Sequence, residues 1–159
     1  MEKSLQQHFA PQNACYGCGQ ANPEGFQLQS FVLPEGNEVI AKWQPKSCHQ
    51  AFPGILNGGV IGTLLDCHSN WTAAYMLMQA RGESSPPCTV TADYHIKLLR
   101  PTPFDNNIPV SLTANILSIN EKKDKAVIKA KLFFKDKLCA TCEGTFVAVQ
   151  AGHPAYHRW

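Results

Sequence analysis

The chain has 159 residues, 44% of them hydrophobic and 16% charged, with 14 Lys and Arg against 12 Asp and Glu. That length suits one domain with its own core, and a charge-poor chain of ordinary apolar content is not disordered. A net charge of +2 gives no reason to expect a nucleic-acid partner.

Residues 1–25 read as a loose N-terminal approach ending in the turn Asn22-Pro23-Glu24-Gly25. Phe26–Leu33 alternates as a strand, Pro34–Asn37 turns, and Glu38–Gln44 returns as a hairpin partner. Residues 45–56 are irregular around Pro53-Gly54. The charge shortage is concentrated next: between Lys46 and Arg81 lie 34 residues with a single formal charge, Asp66. Here the spacing predicts the one long helix, with Asn57 as N-cap. Val60, Leu64, Cys67, Trp71, Ala74, Tyr75 and Met78 recur at helical period, and Arg81-Gly82 provides a cation and a stop. At 1.5 Å per residue it runs about 35 Å. Asp66, His68, Ser69 and Asn70 near its centre argue against a membrane span, so no membrane insertion is expected.

Beyond Pro86-Pro87 the period becomes two. Cys88–Arg100 is a strand with Val90, Ala92, Tyr94, Ile96 and Leu98 on one face and Thr89, Thr91, Asp93, His95 and Lys97 on the other. Strands follow over 108–120, 125–135 and 138–150, joined by short turns, and 151–159 is a tail. One long helix on one antiparallel sheet is an α+β layer arrangement, a single domain over 1–159. A sheet wrapped round one helix leaves a bare side that invites a second protomer.

The seven cysteines, an odd number without an apolar N-terminal leader, suggest free thiols in a reducing cytoplasm. Cys139 and Cys142 have redox-motif spacing but sit in a strand, where i and i+3 face opposite sides. Cys15 and Cys18, with Cys48 and His49 downstream, supply a zinc-type donor set. The adjacency of Cys48 and His49 lacks the usual ligand spacing, so a tight turn with buried thiols is the preferred reading and no metal is expected.

The chemistry concentrates in residues 56–71. Asn57, Gly58 and Gly59 open the helix, where amides without intrahelical partners and the positive dipole end can receive a polarised carbonyl oxygen. Asp66 lies nine residues after Asn57, and its neighbours one turn away, Gly62, Thr63, Ser69 and Asn70, include no cation. A lone carboxylate in so apolar a setting points to a site, as general base or nucleophile. Thr91 offers a hydroxyl to orient water, and His49 in the preceding loop can touch ligand.

These stretches resemble the hotdog-fold thioesterase superfamily, in particular its phenylacetyl-CoA thioesterase-like branch. CYGCGQANPEGFQL is similar to that branch's opening. HQAFPGILNGGVIGTLLD resembles its His-Gly-Gly…Asp signature with the same nine-residue offset. TADYHIKLLRPTP resembles its second core strand, and CEGTFVAV its closing strand. The resemblance implies a hotdog fold, one long central helix wrapped by a five- to six-stranded antiparallel sheet, in a homodimer or a dimer of dimers with active sites at the interface. It implies an acyl-CoA substrate, with coenzyme A as part of the substrate and no other cofactor. Asp66 would attack the thioester or activate water, Thr91 would hold that water, and a Gly58 or Gly59 amide of the other protomer would polarise the carbonyl. Gln50, Ser69, Asn70 and His49 would line the substrate, and Lys97 and Arg100 would meet phosphates. The chain departs from the pattern at Asn57, where relatives carry His; Asn caps a helix but does not titrate. That departure keeps open a non-catalytic acyl-CoA-binding hotdog protein. A hydratase or dehydratase is less favoured because its Asp…His pair is missing.

Overall fold

The computed structural model describes residues 3–157; the outermost residues of the expected approach and tail, 1–2 and 158–159, lie outside these. The long helix, α2, spans Gly58–Arg81. Asn57 Oδ1 accepts from the Gly59 and Val60 amides at 2.7 and 3.3 Å. At the other end Gly82 takes the left-handed conformation (φ 67°), which glycine adopts without a Cβ penalty. Most of α2 is buried, including Leu64, Leu65, Trp71 and Leu77, which explains the missing charges.

A short helix α1 (Leu5–Phe9) precedes strands β1 (Ser30–Val32), β2 (Glu38–Trp43), β3 (Gln50–Phe52) and β4 (Ile55–Leu56). After α2 come β5 (Thr89–Leu98), β6 (Val110–Ile119), β7 (Lys125–Phe134) and β8 (Lys137–Ala148). Six strands form one antiparallel sheet in the order β1-β2-β6-β7-β8-β5, and α2 packs on β5 to β8. Ala126, Ile128, Ala130 and Leu132 of β7 are buried at alternate positions, the period-two face that a sheet turns to its core. Trp71 and Phe146 are the largest side chains enclosed there. The ten-residue β5 is one edge of the sheet; the other edge, β1, has three residues.

Several expectations are corrected. The first strand is confined to Ser30–Val32 because Gln27 has φ 49°, which breaks extended backbone. The Phe26 and Leu28 amides donate instead to the Tyr16 and Gly17 carbonyls at 2.8 and 3.1 Å. The segment before α2 is a 3-10 turn and a two-stranded hairpin, β3-β4, folded about Gly54 at φ 82°. The N-terminal approach is built in. Ser4 and Gln7 form a capping box on α1, and the buried Gln6 side chain bridges the Ser30 hydroxyl and amide at 3.1 and 2.8 Å.

The most consequential correction is in β5. Its pairing with β8 is irregular between Thr91 and Asp93, where Thr91 opposes Phe146 and Asp93 opposes Thr145. This bulge reverses the alternation. Thr89 and Thr91 before it, and Ile96 and Leu98 after it, meet α2. Asp93, His95 and Lys97 line a hollow on the sheet's other face with Lys129 and Glu143. An extra residue that re-aims a side chain beside a site is a common use of a bulge.

Candidate functional site

Asp66 is the ninth of the 24 residues of α2, and the bulge in β5 delivers Thr91 to it. The Thr91 hydroxyl donates to Asp66 Oδ1 at 2.7 Å. Asn70, one turn after Asp66, donates from Nδ2 to Thr91 Oγ1 at 3.4 Å. Its Oδ1 accepts from the buried Thr89 hydroxyl at 2.7 Å. A chain of hydrogen bonds thus runs from Thr89 through Asn70 and Thr91 to the carboxylate. The two short bonds orient their partners, Thr91 the Asp66 carboxylate and Thr89 the Asn70 amide, while the 3.4 Å link between Asn70 and Thr91 is weak. Asp66, Asn70 and Thr91 share the wall of a cavity of about 120 Å³. The charge of Asp66 also reaches Cys142 of β8, which pairs with Ile96 on the face that meets α2. Burial, and then Asp66, push the Cys142 thiol up to about 11.

The other expected residues are distributed differently. Asn57 caps α2 and engages the Gly59 amide, while the Gly58 amide is not among those it accepts from. Gly58 lies beside Leu98, whose methyl would be 3.4 Å from a Cβ there. With Phe52, Ile55, Leu99 and Arg100 they line an apolar groove of about 420 Å³ at the helix start. Ser69 is fully buried, its hydroxyl has no hydrogen-bond partner among the described residues, and it is off the cavity wall. Gln50 is committed within its own loop: its Oε1 accepts from the Gly54 amide at 2.7 Å and its Nε2 donates to the Ser47 carbonyl at 3.1 Å. His49 is clamped in an aromatic stack, 4.9 Å from Trp43 and 5.1 Å from Phe26. Burial, and then the neighbouring Lys46, hold its imidazole below its ordinary range. Lys97 is on the outer face of the sheet and Arg100 at the groove, so the two expected phosphate contacts do not converge.

Two features were missed in the sequence. The sequence marks Asn70 only as a lining residue, whereas it bonds both Thr89 and Thr91; its i+4 spacing from Asp66 is the signal that places it on the same stripe. By its spacing Cys67 reads as one more apolar helix position. It stands with Cys15 and Cys18 in a group whose sulfurs all lie within 4.8 Å of one another, and all three line the Asp66 cavity. Cys48, weighed as a partner of Cys15 and Cys18, is exposed, and neither it nor His49 belongs to that group. All seven cysteines are free thiols. Hydrogen bonds from Cys18 and then Cys67 hold the Cys15 thiol far below its usual range. Hydrogen bonding to Cys15 raises Cys18 to about 12 and Cys67 well above its usual value. His68 is fully buried, with Nδ1 2.9 Å from Ser30 Oγ and Nε2 3.1 Å from the Val39 carbonyl. Burial lowers it to about 4.

No family model and no curated protein matches the chain. Solved structures do. A thioesterase superfamily protein from Shewanella loihica PV-4 is 29% identical, with TM-score 0.64 over 82% of this chain and 98% of that one. A thioesterase from Haemophilus influenzae is 17% identical, with TM-score 0.68 over 84% and 91% of the two chains. The E. coli PaaI protein from the phenylacetic acid degradation operon is 12% identical, with TM-score 0.62 over 79% and 81%. At the lower identities the likeness is one of fold, and that fold is the expected one.

Proposed function

We propose that this chain, which has the hotdog fold of the thioesterase superfamily, is an acyl-CoA thioesterase that works as a dimer. The observation that carries the reading is the 2.7 Å bond from Thr91 to Asp66 on the cavity wall. It supports Asp66 as general base on a water and Thr91 as the group that orients the carboxylate. Thr91 has committed its only proton to Asp66, so its part is to aim the base. The water oxygen bonds the acyl carbon, the carbon–sulfur bond breaks, and the proton taken by Asp66 passes to the departing thiolate. Products are the free acid and coenzyme A.

Chain geometry supports the second copy. Gly58 and Asp66 are eight residues apart on one helix, about 12 Å by the helical rise. One thioester carbonyl therefore cannot meet both in the same protomer, and an oxyanion donor at Gly58 serves the Asp66 of a partner. The long edge strand β5 and the exposed Phe52, Leu98 and Leu99 beside it form the kind of surface that association covers. Arg100, on the wall of the groove, is the cation for a coenzyme A phosphate.

A second reading, an acyl-CoA-binding protein without turnover, is favoured by one observation: Asn57 already occupies the Gly59 amide. A thiol-release screen over short, long and aromatic acyl-CoAs separates the two. The thioesterase reading expects release with at least one class. Calorimetric binding of an acyl-CoA without release from any of them would replace it with the binding reading.

A further inference from the structure

The N-terminal thiols are left unused by this chemistry, yet the fold goes to some length to assemble them. Cys15 and Cys18 come from a loop folded on itself: the Gly19 amide donates to the Cys15 carbonyl at 2.8 Å and the Cys15 amide to Asn13 Oδ1 at 2.7 Å. Cys67 comes from α2, 49 positions beyond Cys18. The two are pressed together so closely that a Cβ on Gly17 would collide with Cys67 Sγ and with Thr63. Only glycine admits that approach.

We propose that Cys15, Cys18 and Cys67 form a binding site for one thiophilic d10 cation, of the zinc(II) or copper(I) class, on the wall of the Asp66 cavity. Three observations and one chemical argument converge on it. The three sulfurs lie within 4.8 Å of one another, and Cys15 and Cys67 are 3.9 Å apart. Tetrahedral zinc with bonds of about 2.3 Å separates its sulfurs by about 3.8 Å. A surrounding donor is aimed at sulfur: the Trp71 indole N–H donates to Cys18 Sγ at 3.2 Å. Donors directed at ligand atoms stabilise the thiolate form that binds metal. A disulfide would use two of the sulfurs and leave the third, whereas a cation uses all three. Finally, the group faces the cavity, from which a solvent oxygen can complete a fourth position. On binding, the metal replaces the thiol protons, which pass to solvent, and no oxidant is needed. Soft thiolates select this class of ion over magnesium, calcium or manganese. The site does not depend on the thioesterase reading, since its ligands are not the hydrolytic groups.

The test uses the full chain, purified under reducing conditions and titrated separately with zinc(II) and copper(I) against a colorimetric chelator. The expected result is one equivalent of one of them per chain. X-ray absorption then reads three sulfur neighbours, with one light atom in addition for zinc and none for trigonal copper. Cys67→Ala is expected to lower retained metal to about a tenth of an equivalent or less, while Cys48→Ser keeps the full amount. Because Cys67→Ala also removes a buried α2 side chain that packs on Gly17, Cys15→Ser provides a second ligand deletion on the loop, with circular dichroism on both. Three results would overturn the site: neither ion retained by a folded chain, stoichiometric metal persisting in both deletions, or a 2 Da lower non-reduced mass showing a disulfide among the three. Acyl-CoA turnover plays no part in these readouts, so a failure here and a failure of the hydrolase reading are distinguishable.

Discussion

Replacing Thr91 with valine tests the arrangement around the carboxylate. The change is nearly isosteric and removes one oxygen. It deletes the 2.7 Å bond to Asp66 Oδ1 and the acceptor of Asn70 Nδ2 at 3.4 Å. The first is a bond to a charged group, worth about 1.5–3 kcal/mol; the second is too long to count for much. If the hydroxyl aims the base, most of that energy is lost in the transition state, and kcat falls about 10- to 100-fold. KM stays near its wild-type value, because the oxygen is not a binding contact in this account. Thr91→Ser restores the hydroxyl and should recover most of the rate. The assay is steady-state thiol release with the best acyl-CoA of the screen, alongside a urea melt. A wild-type kcat in Thr91→Val would refute the role, as would an equal loss in Thr91→Ser.

Other predictions concern the assembly and the core. Leu98→Lys places a charge where Leu98 is 58% exposed in the single chain. It should leave monomer stability nearly unchanged, shift sedimentation to the monomer, and abolish turnover together with the dimer. A monomeric variant that retains full kcat would exclude a site shared between copies. His68 makes stability fall on the acid side. Its folded value of about 4 lies below the ordinary 6.5, so the unfolded chain takes up the proton first. The contribution is complete above pH 6.5 and is lost as pH falls toward 4, amounting to about 3 kcal/mol at 1.36 kcal/mol per unit. Urea unfolding at a series of pH values checks this. The steep acid limb should flatten in His68→Asn, and an unchanged limb would place its origin elsewhere.

Much of this architecture was legible in the sequence, for physical reasons that can be named. Asn57 and Gly82 mark the ends of α2 because helix termini need a side-chain acceptor and a left-handed residue. Asp66 stood out because a buried helix carries few charges. Alternation located β5 to β8. What escaped depends on contacts distant in sequence. A bulge is set by how β5 registers on β8, so alternation alone put Thr91 on the wrong face relative to Ile96 and Leu98. The positive φ of Gln27 follows from the loop that Phe26 and Leu28 bond to, not from any turn residue. Gln6 gives no local sign that it will be buried against Ser30. Cys67 looked like a small apolar helix residue, and only the fold brings Cys15 and Cys18 to it.

In the proposed reaction Asp66 activates the water that cleaves the thioester. Asp66→Asn keeps the size of the side chain and an acceptor for the Thr91 hydroxyl, and removes the base. Its thiol-release rate, measured on folded dimer with the best acyl-CoA of the screen, is the most direct test. With the base removed, kcat is expected to fall about 100-fold or more, with acyl-CoA binding retained by calorimetry. Turnover at the wild-type rate would contradict that role.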